Sequence, residues 1–244
     1  MRPPLQPALA GLLAYLGEMG YGDLYVASAH TPAPVAGASP QQPVAAMAVA
    51  RTPPSGEAAE RASELAALAA AAAGCTRCRL SEGRTKVVFG TGNPAAELMF
   101  VGEGPGAEED RRGLPFVGAA GELLNRIIQA IEKTRDEVYI ANVVKCRPPG
   151  NRDPQPDEVA TCRGYLDRQI ALVRPRVLVA LGRVAAQTLL GNASPIGRMR
   201  GQWFKVQGIP TMVTYHPAAL LRNPALKRPT WEDMQQVRDF LRAG

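Results

Sequence analysis

Residues 97–106 read ELMFVGEGPG, a short apolar run that leads directly into a glycine-rich loop. Short apolar runs that end at glycine are typical of strands buried on both faces. Three further runs of this kind follow, with helical stretches between and after them. The strand candidates are residues 97–101, 138–144, 177–181 and 211–215, and the helix candidates are residues 120–131, 157–173, 183–190 and 231–242. This alternation predicts an α/β fold with a mostly parallel sheet covered by helices on both faces.

Unusual loops follow three of the four predicted strands. Ligands of open α/β sheets bind beyond the carboxyl ends of the strands, so a site is expected in these loops. They read GEGPGAEED at residues 102–110, KCRPPGNRDP at 145–154 and HPAALLRNP at 216–224. The glycines of the first loop allow a flat ligand to approach the backbone, although a purely structural tight turn is the alternative. The loop lacks the spacing of a phosphate loop.

The chain contains four cysteines: Cys75, Cys78, Cys146 and Cys162. A pair separated by two residues can place both thiolates on one metal centre, and two distant cysteines can complete the set. The spacing predicts a four-cysteine metal site that fits zinc or a cubane iron–sulfur cluster. Four unrelated buried thiols or two disulfides are the alternatives.

Composition divides the chain into three parts. Residues 1–28 have apolar residues at helical spacing and are expected to form a short N-terminal helix, residues 29–62 are an Ala/Pro-rich linker expected to be disordered, and residues 63–244 are the folded domain. Residues 1–60 hold 2 basic and 4 acidic residues, a net charge of −2, whereas residues 61–244 hold 26 and 18, a net charge of +8. A basic domain is a weak indication of nucleic-acid binding, and an ordinary solvated basic surface is the alternative.

The N-terminal apolar stretch does not match a membrane or export signal. It is too short and too interrupted by glycine and proline to span a membrane, and it lacks the basic start of a signal peptide. The sequence therefore predicts a cytoplasmic protein without a membrane partner.

Taken together, these motifs resemble the iron–sulfur, thermostable-type uracil-DNA glycosylases, or family 4. The resemblance covers about residues 65–242 and rests on the cysteine spacing, GEGPGAEED followed by GLPFVGAAGELL, NVVKCRPPGNRDP and HPAALLR, in that order. It implies a three-layer α/β/α sandwich with a central four-stranded, mostly parallel sheet. It also implies a mainly structural [4Fe–4S] cluster held by Cys75, Cys78, Cys146 and Cys162.

The resemblance implies a monofunctional glycosylase that flips uracil out of DNA and hydrolyses its N-glycosidic bond, leaving an abasic site for base-excision repair. Asn142 matches the asparagine that reads the uracil edge, and Phe116 matches the aromatic residue that stacks on the flipped base. His216 matches the histidine that donates a hydrogen bond to uracil O2. The backbone groups expected to line the uracil pocket belong to Gly102, Glu103 and Gly104.

The residue that positions the attacking water stays open among Glu103, Glu109 and Asn151. Glu109 has a second interpretation, in which its side chain excludes the methyl group of thymine. The loops contain no lysine except Lys145, so a Schiff-base nucleophile is not expected.

The segment after His216 resembles the family's wedge, in which an apolar side chain fills the gap left by the flipped base and a basic one meets phosphate. The wedge residues are Leu220, Leu221 and Arg222, with a plain helix start as the alternative. We expect a monomer whose partner is uracil-containing DNA and whose N-terminal extension recruits a replication or repair partner. A non-catalytic iron–sulfur DNA-binding accessory protein and a zinc-stapled nucleotide-binding protein are the alternative functions.

Overall fold

The computed structural model describes residues 56–243, which form one six-stranded sheet with helices on both faces. The helices are α1 (Gly56–Ala73), α2 (Leu80–Gly83), α3 (Ala107–Arg112), α4 (Ala119–Ala130), α5 (Pro156–Val173), α6 (Arg183–Leu190), α7 (Ile196–Met199), α8 (Pro217–Arg222) and α9 (Lys227–Arg242). The strands are β1 (Thr91–Gly92), β2 (Leu98–Gly102), β3 (Tyr139–Asn142), β4 (Val177–Leu181), β5 (Trp203–Val206) and β6 (Ile209–Thr214). Within this range no helix combines the length and apolar character needed to cross a membrane.

The sheet has the order β1-β3-β2-β4-β6-β5. Strands β3, β2, β4 and β6 lie at the four predicted strands and pair in parallel. Strands β1 and β5 pair antiparallel at the two edges. The sheet is therefore mixed and six-stranded, which corrects the four-stranded sheet that the resemblance implied. A search for buried apolar runs misses the edges, because β1 has two residues and β5 exposes Trp203 and Lys205.

Side chains of the parallel strands alternate between two cores, one on each face of the sheet. In β2, Leu98 and Phe100 join the core that contains α4 and α9, whereas Met99 and Val101 join the core that contains α5 and α6. All four side chains are at most 1% exposed. Burial on both faces explains why these strands form continuous apolar runs in the sequence, and it confirms the predicted α/β class.

Helix α1 begins inside the segment that was predicted to be linker. It starts at Gly56 and packs on α5, where the Nε atom of Arg61 donates a hydrogen bond to the carbonyl of Leu172 at 3.1 Å. Its Leu65 side chain is buried in the domain core. The folded domain therefore starts before residue 63, and composition missed this because alanine dominates the helix. The predicted N-terminal helix and the rest of the predicted linker lie outside the described residues.

The carboxyl ends of the parallel strands meet at one edge of the sheet. Gly102, the last residue of β2, lies opposite Asn142, the last residue of β3. On the other side, Leu181 of β4 lies opposite Thr214 of β6. The loops that the sequence singled out all leave the sheet at this edge, which is where ligands of such folds bind.

Candidate active site and cysteine centre

A cleft of about 510 Å³ opens at the carboxyl edge of the sheet. Its walls come from the loops after β2, β3 and β6, together with the start of α6. The predicted site residues that line it are Glu103, Gly104, Glu109, Phe116, Asn142, Asn151, His216 and Arg222. The fold thus brings together residues that lie far apart in the sequence, and their individual roles stay predictions.

Gly102 lies behind the cleft wall, where no side chain fits. A Cβ atom at this position would lie 2.4 Å from Oδ1 of Asn142 and 2.7 Å from the ring of Phe116. At Gly104 it would lie 2.8 Å from the side chain of Val144. Glycine is therefore needed at both positions because neighbouring side chains approach the backbone closely.

Asn142 ends β3 with its amide turned toward Gly102 and the cleft. The residue is 1% exposed, and its Oδ1 atom has no hydrogen-bond partner among the described residues. Its backbone carbonyl accepts a hydrogen bond at 2.7 Å from Nζ of the buried Lys145. A buried acceptor without a partner costs about 1–3 kcal/mol, so a ligand that donates to it gains that energy.

Phe116 has a backbone conformation that phenylalanine rarely adopts. Its φ angle is +52°, and this left-handed region costs about 1–3 kcal/mol for a residue of this kind. The ring is buried and lies 5.4 Å from the His216 ring, with 31° between their planes. Gly121 makes this possible, since a Cβ atom there would lie 2.0 Å from the carbonyl oxygen of Phe116. Such strain is typical of functional sites.

His216 caps helix α8 and is neutral. The backbone N–H of Ala218 donates to its Nδ1 atom at 3.1 Å, so Nδ1 is an acceptor and the proton resides on Nε2. Burial lowers the pKa of His216 to about 4, with a further contribution from the positive charge of Arg222. The imidazole therefore offers a neutral N–H donor to a ligand in the cleft.

Glu103 is the carboxylate whose ionisation the cleft changes most. Its pKa is raised to about 7: burial is the main cause, the negative charge of Asp153 adds to it, and the positive charge of Arg183 opposes both. Asp153 and Arg183 form an ion pair with each other in the cleft wall. Glu103 is thus poised to gain or lose a proton near neutral pH.

The two other candidates for water positioning are engaged elsewhere. Glu109 accepts hydrogen bonds through Oε1 from the backbone N–H groups of Val117, at 2.9 Å, and Gly118, at 3.1 Å. Asn151 accepts one through Oδ1 from Nε of Arg147 at 2.8 Å. Glu109 therefore holds the loop that carries Phe116, which neither predicted role required.

The predicted wedge is divided by the fold. Leu220 is 0% exposed and belongs to the core, so of the three predicted wedge residues it is the one that lies away from the surface, and its contact with DNA stays a prediction. Leu221 is 45% exposed, and Arg222 lines the cleft. Helical periodicity explains the division, because neighbouring residues of α8 point in different directions.

The four cysteines line one small cavity between α5 and the loops near residues 75 and 145. All four are free thiols, which removes the alternative of two disulfides. Within residues 56–243, no three His, Cys, Asp or Glu side chains approach closely enough to hold a single metal ion. Four thiols that line one cavity are nevertheless a donor set of the kind that zinc and cubane iron–sulfur clusters take.

Donor groups point at the sulfur atoms of Cys146 and Cys162. The guanidinium of Arg84 donates to Sγ of Cys146 at 3.4 Å, and the backbone N–H of Lys145 donates to Sγ of Cys162 at 3.3 Å. Burial raises the pKa of both thiols, and these positive groups act in the opposite direction. Hydrogen bonds of this kind to sulfur are typical of iron–sulfur sites.

Glu158 connects the cysteine centre with the cleft, which no pattern in the sequence indicated. Its side chain is 0% exposed and accepts hydrogen bonds from Arg79 at 2.8 Å and from Arg152 at 2.7 Å. Arg79 follows Cys78, whereas Arg152 lines the cleft. The bond from Arg152 is the main reason that the pKa of Glu158 falls to about 2. In the sequence, Glu158 resembles any acidic residue in the first turn of a helix.

Known proteins are similar to this chain over most of the domain. Residues 89–235 match the family model described as the uracil DNA glycosylase superfamily. The type-4 uracil-DNA glycosylase of Sulfurisphaera tokodaii is 48% identical over 175 residues, which cover 68% of this chain and 80% of that protein. The type-4 enzyme of Thermotoga maritima is 44% identical over 174 residues, 69% of this chain and 90% of that protein. The type-5 uracil-DNA glycosylase of Pyrobaculum aerophilum is 32% identical over 163 residues, 60% of this chain and 71% of that protein.

The matched region contains every strand of the sheet and all the loops that line the cleft. It also contains Cys146 and Cys162. Identity is higher to the type-4 than to the type-5 protein, over a larger share of both chains. The chain belongs to the uracil-DNA glycosylase superfamily and, within it, to the type-4 uracil-DNA glycosylases.

Proposed function

We propose that this chain flips uracil out of DNA and hydrolyses its N-glycosidic bond, leaving an abasic site that starts base-excision repair. The observation that carries the proposal is the buried Oδ1 atom of Asn142, which has no partner among the described residues and belongs to a cleft lined by Phe116 and neutral His216. An aromatic ring, an amide and an N–H donor are the groups that a flat, polar-edged base requires.

Asn142 recognises the base by its hydrogen-bonding pattern. Uracil presents an N3–H donor beside the O4 acceptor, and a side-chain amide offers the complementary acceptor and donor. Cytosine has the opposite pattern at these two atoms, so it would leave buried polar groups unpaired. Sites built in this way reject the wrong ligand by factors on the order of 10⁴.

His216 stabilises the departing base. Negative charge develops on uracil as the glycosidic bond breaks, and we assign Nε2–H of His216 to donate to O2. Because the imidazole is neutral, it retains its proton and stabilises the anion without a proton transfer. The interaction strengthens as the charge grows, so it lowers the barrier more than it tightens substrate binding.

We assign to Glu103 the role of positioning and deprotonating the attacking water. Within residues 56–243 its carboxylate forms no hydrogen bond or ion pair, whereas Glu109 and Asn151 are both engaged. A pKa of about 7 suits a general base that works near neutral pH. The water oxygen bonds to the sugar carbon, its proton passes to Glu103, and uracil departs with the electrons of the broken bond.

We propose that Cys75, Cys78, Cys146 and Cys162 hold a [4Fe–4S] cluster. When bound, the cluster supplies a cross-link between the segment near residue 75 and the segment that also carries Asn142. Cys146→Ser is expected to lose iron, acid-labile sulfide and visible absorbance and to unfold at a lower temperature than the native protein. If the native protein contains zinc instead of iron, the assignment of an iron–sulfur cluster is refuted.

Uracil release from a single-stranded oligonucleotide with one U tests the function. The native protein should yield alkali-dependent strand cleavage and none without alkali, as expected of a monofunctional enzyme, and an oligonucleotide with C at the same position is the control. Asn142→Ala/His216→Ala should be inactive yet retain its iron. A native protein with its cluster intact but no uracil release would favour the non-catalytic DNA-binding accessory.

Uracil-containing DNA is the partner that this function requires. We expect the protein to act as a monomer. Light scattering during turnover, over a range of protein concentrations, tests this. Recruitment of a replication or repair partner by the N-terminal extension stays a prediction.

A further inference from the structure

The backbone around Phe116 is bound on both sides by charged side chains. On the side before Phe116, a guanidinium nitrogen of Arg135 donates to the carbonyl oxygen of Pro115 at 2.5 Å. On the side after it, Oε1 of Glu109 accepts from the N–H groups of Val117 and Gly118. Three consecutive peptide groups next to a left-handed residue are thereby fixed in place.

We propose that Arg135 and Glu109, called here the clamp, hold the Phe116 ring where it stacks on the flipped base, and that Arg135 is a positioning residue of the reaction. The inference rests on the proposed function, because it assigns a purpose to the stacking ring. Arg135 does not line the cleft, so any effect on the reaction has to pass through the Phe116 loop.

The geometry of Arg135 suits this task. Its second terminal nitrogen donates to Oδ1 of Asn125 on α4 at 2.9 Å, so the planar fork joins the loop to a helix. Burial lowers the pKa of Arg135, and the negative charges of Asp136 and Glu109 act in the opposite direction. A half-buried charge is retained at a cost in free energy, and its bond to the loop is the gain that offsets it.

Phe116 needs such support because its conformation is unfavourable in isolation. A phenylalanine at φ +52° would relax toward the common β or α regions if its neighbours were free. That rotation would carry the ring away from its place beside His216. Misplacement of a stacking group by about an ångström is enough to reduce the rate by up to about 100-fold.

A double-mutant cycle between Arg135 and Phe116 tests the proposal. In the native background, Arg135→Met should lower kcat/KM for uracil release roughly 10- to 100-fold. In the Phe116→Ala background the same substitution should change kcat/KM less than about threefold, because the ring that Arg135 positions is absent. Equal losses in both backgrounds would overturn the proposal, since a general structural defect does not depend on the ring.

Two further variants keep the test conclusive if Arg135→Met fails to fold. Arg135→Lys retains a charge and one donor, and Asn125→Ala removes the helix anchor; each should show the same dependence on Phe116 with a smaller loss. Arg176→Met is the matched control, because Arg176 likewise donates to a side-chain oxygen, here of Glu97, and to a backbone carbonyl, but lies before β4, at the opposite edge of the sheet. It should lower the unfolding temperature without lowering kcat/KM. A native enzyme that releases no uracil would refute the proposed function itself, whereas an active native enzyme with additive losses would refute only the clamp.

Discussion

The cleft and the cysteine centre share one segment of the chain, near residues 142–146, but differ in how their polar groups are satisfied. Asn142 enters the cleft and Cys146, a few residues later, enters the centre. The cleft contains an acceptor without a partner, a carboxylate whose pKa is raised to about 7 and a strained Phe116. The centre surrounds its sulfurs with donors from Arg84 and Lys145.

This difference means that the polar groups of the cleft favour ligand binding, whereas those of the cysteine centre favour the folded state. Unsatisfied and strained groups lower stability but become favourable when a ligand arrives, which is typical of a site that performs chemistry. Satisfied groups around buried sulfur stabilise the fold and leave nothing for a substrate. Substitutions in the cleft should therefore change rate with little change in stability, and substitutions around the centre should do the reverse.

The largest effect is expected for His216 in the cleft. His216→Ala removes the donor to uracil O2 and should lower kcat by about 10²–10³-fold, or about 3–4 kcal/mol in the barrier, with a much smaller change in KM. Single-turnover excision at saturating enzyme measures this. The unfolding temperature should fall by only about 2–4 °C, because loss of the α8 cap costs about 1 kcal/mol. A fall in the free energy of unfolding as large as the rise in the barrier would remove the distinction between the two regions.

A substitution of Glu158 tests how the two regions are connected, because its carboxylate accepts hydrogen bonds from Arg79, beside the cysteine centre, and from Arg152, in the cleft wall. Glu158→Gln should lower the free energy of unfolding by about 2 kcal/mol, since a buried, doubly bonded carboxylate loses its charge. Guanidinium unfolding of the iron-loaded protein measures this. Asp157→Asn is the control, because Asp157 also bonds to Arg79 but is 67% exposed.

The stability from Glu158 should also depend on pH with a definite sign. Its folded pKa of about 2 lies below the ordinary 4.5, so the contribution is complete above about pH 4.5 and is lost as pH falls toward 2. The native protein and Glu158→Gln should therefore converge in stability over that range. A constant difference down to pH 2.5 would contradict the assignment of the charge.

The sequence predicts those parts of the molecule whose burial leaves a local pattern of residue types. Parallel strands buried on both faces are visible as apolar runs, and loops at their carboxyl ends are where Asn142 and His216 were expected. Edge strand β5 could not be found in this way, because half of its residues face solvent. Arg135 and Glu158 were also out of reach, since their roles depend on backbone groups and loops that only the folded chain brings beside them.

The smallest expected effect is the pH dependence that Glu103 gives to the cleft. If ionised Glu103 accepts the proton of the attacking water, kcat/KM should rise through pH 7 and level off above pH 8, with roughly a tenfold difference between pH 8 and pH 6. His216 adds no inflection in this range, because its pKa of about 4 keeps it neutral throughout. Glu103→Gln should be slower at every pH and should lose the inflection, whereas Asp153→Asn should retain it and move it to lower pH, since one neighbouring negative charge is removed. An inflection that survives in Glu103→Gln would assign the proton to another group, and the unsatisfied groups of the cleft would then serve to bind the base without activating water.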